Sequence, residues 1–180
     1  MLTLVLSGGR WVGLVLVIGF LFGGVTACAP GQETPPPAVM RTTSPPWDAP
    51  RDAVANIEAA DLLAEPLDTT TNQRIIDLEV VVDGEPVEVP AYIGIDRLRA
   101  LQAAAHTHKA GGEVWLEGSE ALTVTLGQFF TLWGVRFDHG CLGGVCGTVE
   151  VTADGTAVDD PAALVLAETR SVRVEVRSEN

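Results

Sequence analysis

Apolar residues run from Trp11 to Phe22, with a single cation, Arg10, ahead of them and the small residues Val25, Thr26 and Ala27 behind. Beyond this block the chain loses its periodicity. Residues 29–50 carry Pro35, Pro36, Pro37, Pro45, Pro46 and Pro50 among threonine, serine and glycine, a composition that builds no core and favours extended backbone. Helical spacing follows in residues 52–64, where Val54, Ile57 and Leu62 share one side and Pro66 acts as the stop. From Thr71 the period falls to two. Ile75 to Val82 reads as a strand, Asp83-Gly84 as a tight turn, and Val87 and Val89 as a second strand closed by Pro90. Asp96 to Ala104 reads as a helical turn. A hairpin is expected from Ala104–His108, a turn at Lys109–Gly112, and Glu113–Glu117. Thr125 suits the N-cap of a helix over Leu126–Trp133 that Gly134 ends. Strands at Thr148–Thr152 and Val172–Val176, with a turn at Asp154-Gly155, complete the pattern.

The expected fold class is therefore α+β: a small, mostly antiparallel sheet built from hairpins, with one central helix burying Phe129, Phe130, Leu132 and Trp133 against one sheet face. The expected organisation is a signal segment at 1–27, a proline-rich disordered tether at 28–50, a short helix and linker at 51–70, and an α+β domain at 71–180.

Charge and cysteine usage narrow the setting. A cation, an apolar core and small residues form a secretory signal, and the run falls short of the roughly 20 apolar residues of a spanning helix. Plain secretion and an uncleaved anchor are the alternatives. The net charge is −13, and loss of Arg10, the one charged residue before Cys28, takes it to −14. That balance argues against nucleic acid or an anionic lipid surface as partner. Of the three cysteines, Cys141 and Cys146 are close in sequence, and outside the cytoplasm such a pair is expected to form a disulfide. A redox pair would more commonly show Cys-x-x-Cys spacing.

Candidate chemistry centres on two histidines. His106 and His108 stand two apart on an expected strand and so face the same side. If Lys109–Gly112 turn the chain, His108 faces Glu113 and His106 faces Trp115, so His106, His108, Glu113 and Glu117 could converge as ligands for copper or zinc. His139, beside Asp138, is a further candidate from a loop. The same two histidines also suit a purely structural, hydrogen-bonded role, with Trp115 as a packing partner. No nucleophile set accompanies Ser119 or Ser171. Asp138, Asp159 and Asp160 sit near turns, and neither glycine pair, Gly111-Gly112 or Gly143-Gly144, has the spacing of a phosphate loop. The expectation is a non-enzymatic binding or structural module, with metal binding as the alternative.

Two resemblances add to this. The segment Val25-Thr26-Ala27-Cys28 resembles the lipobox of bacterial lipoproteins, which implies cleavage before Cys28 and lipid, such as palmitate, on that cysteine. The chain would then sit at the extracytoplasmic face of the cell membrane, held by the lipid on Cys28 and meeting an unidentified envelope protein. From Ile75 to its end, the chain resembles an uncharacterised group of bacterial extracytoplasmic proteins. The matching stretches are Val82-Asp-Gly-Glu-Pro-Val-Glu-Val-Pro-Ala-Tyr-Ile-Gly-Ile95, His106-Thr-His108 followed by a glycine and Glu117, Thr125-Leu-Gly-Gln-Phe-Phe-Thr-Leu-Trp-Gly-Val135, and the loop Cys141-Leu-Gly-Gly-Val-Cys146. The resemblance implies a shared fold and no established activity. Members of that group often carry histidines at positions matching Gln73, Ile75, Asp77 and Trp115, where this chain has none.

Overall fold

Alternation across Arg74–Val82 sends Ile76, Leu78, Val80 and Val82 to one face, where all four are buried, and Ile75, Asp77 and Glu79 to the other. The same alternation buries Val172, Val174 and Val176 of the last strand, and Val114 and Leu116 of the strand after His106. These rows meet the buried face of the central helix, formed by Leu126, Phe129, Phe130, Leu132 and Trp133, in one continuous hydrophobic core.

The structure, a computed structural model, describes residues 37–179. In chain order the elements are α1 (Ala53–Ala59), β1 (Glu65–Pro66), β2 (Arg74–Val82), β3 (Glu85–Val87), β4 (Ile95–Asp96), β5 (Leu101–Gln102), β6 (Ala105–His106), β7 (Glu113–Leu116), α2 (Leu126–Trp133), β8 (Cys141–Leu142), β9 (Val145–Ala153), β10 (Thr156–Ala157) and β11 (Ser171–Ser178). Short 3₁₀ turns cover Pro161–Ala163 and Leu166–Glu168. The main sheet has the order β10-β9-β11-β2-β7-β6, with β3 added to β2 and β8 to β9; a small sheet has the order β1-β5-β4. All pairings between these strands are antiparallel except β11 with β2, which run parallel with Val174 opposite Val80. The α+β class and the mostly antiparallel sheet expected from the pattern are both present.

Helix α2 has the termini its sequence predicts. The Thr125 hydroxyl accepts from the Gln128 N–H, and the Gln128 side chain accepts from the Thr125 N–H, a reciprocal capping box. At the other end Gly134 takes φ 69°, Val135 donates to the Phe130 carbonyl and Gly134 to the Thr131 carbonyl. The Asp83-Gly84 and Asp154-Gly155 turns both have positive φ at each central residue, as a two-residue hairpin requires.

Three expectations are corrected. The helix anticipated over 52–64 is shorter, Ala53–Ala59, and Pro66 is not its stop. Asp61 turns left-handed at φ 56° and Leu62 donates to the Ile57 carbonyl, which closes the helix earlier. Asp96–Ala104 is not a helical turn but the β4–β5 hairpin. The Asp96 carboxylate accepts from the N–H groups of Leu98 and Arg99 as an N-cap does, but Ala100 turns left-handed at φ 53° and the chain returns as β5 instead of continuing as helix. The globular unit begins well before Thr71, and the part of the expected tether and linker that is described packs on it. Arg41 bridges to Val135, Trp47 is only 2% exposed, and Ala53 and Ile57 belong to the core. Proline-rich composition registers an extended backbone, but it does not register that one indole, Trp47, has a pocket to fill.

The expected signal segment, the lipobox-like residues Val25–Cys28 and Pro35 and Pro36 lie outside the described residues. Among the described residues no helix is long and apolar enough to cross a membrane.

Candidate metal centre

The hairpin β6–β7 forms in the expected register, with His106 opposite Trp115 and Ala105 opposite Leu116. Since Val114 and Leu116 face the core, His106, Trp115 and Glu117 lie on the opposite face of the sheet. Yet His106 is 0% exposed. The turn carrying Gly94 covers it: a Cβ at Gly94 would sit 2.5 Å from the Ala105 carbonyl oxygen and 3.4 Å from the His106 Cβ, so only glycine lets that backbone come so close.

Three side chains converge there. The His106 Nε2 lies 3.2 Å from Glu117 Oε2 and 3.2 Å from His108 Nε2. One ligand atom from each of His106, His108 and Glu117 falls within 4.8 Å of the others. His106 and Glu117 are buried, while His108 is exposed and crosses the Trp115 ring edge to face at 5.1 Å.

The hydrogen bonds around this group fix what it offers. The His106 Nδ1 sits 2.9 Å from the Ala103 carbonyl oxygen, which can only accept, so Nδ1 carries the proton. Nε2 then carries a lone pair, which can accept from the His108 Nε2–H at 3.2 Å or bind a cation. Burial pushes the His106 imidazole below its ordinary pKa, helped by His108 and opposed by the Ala103 carbonyl and Glu117, so the neutral ring is the favoured form. The same Nε2 lies 3.2 Å from Glu117 Oε2, so a proton or a metal cation between them satisfies both. The outer side of Glu117 is also held, because the Gln73 amide donates to Oε1. Carbonyl behind imidazole and amide behind carboxylate is the arrangement that orients ligands in metal sites.

Of the residues the sequence put forward, His106, His108 and Glu117 come together and Glu113 does not. The Glu113 carboxylate faces away to Lys109 Nζ at 3.2 Å and accepts from the Trp115 indole N–H at 2.9 Å, and these donors hold it below the usual glutamate pKa. His139 is exposed in the loop ahead of Cys141 and stands outside the group. Gln73 is the residue that the pattern did not put forward. Its signal is register: β2 pairs Arg74 with Leu116, so one step further sets Gln73 beside Glu117.

The disulfide between Cys141 and Cys146 is formed, across the β8–β9 hairpin that pairs these two residues. Comparison with protein-family models, curated proteins and solved structures finds no match to this chain.

Proposed function

We propose that this chain is a lipid-anchored, extracytoplasmic binding protein whose domain holds a divalent transition-metal ion between His106, His108 and Glu117, and that it works as a binding module rather than an enzyme. The observation that carries the metal reading is the convergence of one ligand atom each from His106, His108 and Glu117 within 4.8 Å of one another, with His106 and Glu117 buried. A cation there would bond to nitrogen and oxygen together. Two imidazoles and one carboxylate, with no thiolate or thioether, suit zinc or copper(II) rather than copper(I) or calcium. Lipid anchoring rests on the lipobox ending at Cys28, and the acidic chain suits a domain held off an anionic membrane surface.

The test is calorimetric titration of the full-length chain in detergent, without a histidine tag, with zinc and with copper(II). Sub-micromolar, one-to-one binding that disappears in His106→Ala/His108→Ala supports the reading. No binding, or binding unchanged in the double variant, overturns it. Palmitate labelling lost in Cys28→Ala supports the anchor, and labelling unchanged in that variant overturns it.

A further inference from the structure

Resting on the metal reading above, we infer that an ion at this centre keeps one coordination position open to solvent, and that this position takes an organic carboxylate whose apolar part lies over Trp115 and Ile75.

Donor count gives the vacancy. Among the described residues no fourth histidine, cysteine, aspartate or glutamate joins His106, His108 and Glu117, whereas zinc and copper(II) take at least four ligands. The nearest acid on the same strand face, Glu113, is tied to Lys109 and Trp115. Direction follows from burial. The inner side is closed by the Gly94 turn and by the Ala103 carbonyl on His106, and only His108 is exposed, so the remaining position points outward past His108.

Charge and shape then select the ligand. A divalent ion with one carboxylate ligand leaves the centre with a net positive charge, and Gln73 behind Glu117 is neutral. An anionic oxygen donor balances it, as Glu117 does from below. On the same sheet face Ile75 stands directly opposite Trp115 in the β2–β7 register, and Ile75 is 46% exposed. Trp115 in turn borders His108 at 5.1 Å. A ligand leaving the metal toward solvent therefore crosses an indole and then an isoleucine, an apolar strip beside a cationic point. That combination fits a carboxylate with an apolar body.

The test uses the full-length chain in detergent loaded with cobalt(II), whose visible bands report coordination number and ligand exchange. Acetate and benzoate are titrated at constant ionic strength. The expected result is a saturable one-to-one change in the bands with benzoate, at an affinity roughly five- to tenfold above that for acetate from the added apolar contact. Cobalt bands that are present but unmoved by benzoate overturn the inference and leave the metal reading standing. Acetate binding as tightly as benzoate overturns the role of Trp115 and Ile75. Absence of both cobalt bands and zinc binding in the calorimetric titration overturns the metal reading itself, and the inference with it; zinc binding without cobalt bands, with benzoate giving no heat on the zinc-loaded chain, overturns the inference alone.

Discussion

The indole N–H of Trp133 donates to the main-chain carbonyl of Trp47 at 3.0 Å, across 86 positions of sequence, and the two rings cross edge to face with centroids 5.8 Å apart. Trp133 ends the central helix, and Trp47 lies in the proline-rich stretch. This contact joins the two. Around it Arg41 donates from its main chain to the Gly134 carbonyl at 2.8 Å and from its guanidinium to the Trp133 carbonyl at 2.9 Å. Residues 41–47 therefore form a strap that seals the C-terminal end of α2. Trp47→Ala is expected to destabilise the protein by about 3–5 kcal/mol, the usual range for emptying a buried indole site. Chemical denaturation measures it. A chain begun at residue 51 should lose at least as much, and equal stability of that shorter chain would show that the strap contributes nothing.

The disulfide supports the same strap. Gly143 and Gly144 lie inside the ring closed by Cys141 and Cys146, and Gly144 donates to the Thr43 carbonyl at 2.7 Å. A Cβ on Gly143 would come within 2.4 Å of the Trp47 ring, so the loop and the indole are in close contact. Reduction is expected to cost about 2 kcal/mol, the chain-entropy value for so small a ring. It should also speed tryptic cleavage after Arg41, because the loop that backs the strap is released. Melting temperature and digestion rate, with and without reductant, check this together. If neither moves, the ring has no part in holding the strap.

Much of the fold is legible in local sequence because short-range chemistry decides it. Thr125 and Gln128 cap each other, Gly134 takes a left-handed conformation, and the two Asp-Gly turns set hairpin register. The register of His106 against Trp115 follows from the turn between them and was enough to bring His106, His108 and Glu117 to one face. What local pattern does not carry is anything decided at long range. The parallel pairing of β11 with β2 joins residues about a hundred positions apart with no turn to announce it. The burial of His106 depends on the Gly94 turn, and the packing of the strap depends on Trp133. Asp96 caps a first turn as a helix start would, and only the left-handed Ala100, which local pattern does not announce, sends the chain back as a strand.

That aspartate gives an acid-stability prediction. Asp96 is 2% exposed, and burial alone would raise its pKa. The N–H groups of Leu98 and Arg99 and the Arg99 guanidinium outweigh burial and hold it below the ordinary value of 3.8. A carboxylate with a lowered folded-state pKa stabilises the fold fully above its unfolded value, and that contribution fades as pH falls from about 3.8 through the lower folded value. Asp96→Asn keeps an oxygen for the two backbone donors but loses the charge. Its stability should lie below that of the wild type at neutral pH, and the gap should narrow below pH 3.8. Denaturation midpoints of both proteins across the acid range test this, and a gap independent of pH would remove Asp96 as its source.

The two histidines of the proposed metal site should separate fold from function. His108 is exposed and its ring packs edge to face with His106 and Trp115, so His108→Ala should leave stability of the unloaded protein within about 0.5 kcal/mol. His106 is fully buried, so His106→Ala leaves a cavity, an unpaired Ala103 carbonyl and a buried Glu117 without its neighbour. A loss of roughly 2–4 kcal/mol is expected even without metal. In the wild type, zinc at a hundredfold excess over its dissociation constant should add about 2.7 kcal/mol. That increment should vanish in both variants, although only one of them is intrinsically weakened. Thermal denaturation of the wild type and both variants, with and without zinc, gives all of these values. If His108→Ala kept the full zinc increment, His108 would not be a ligand, and the pair would be a hydrogen-bonded support for the hairpin instead.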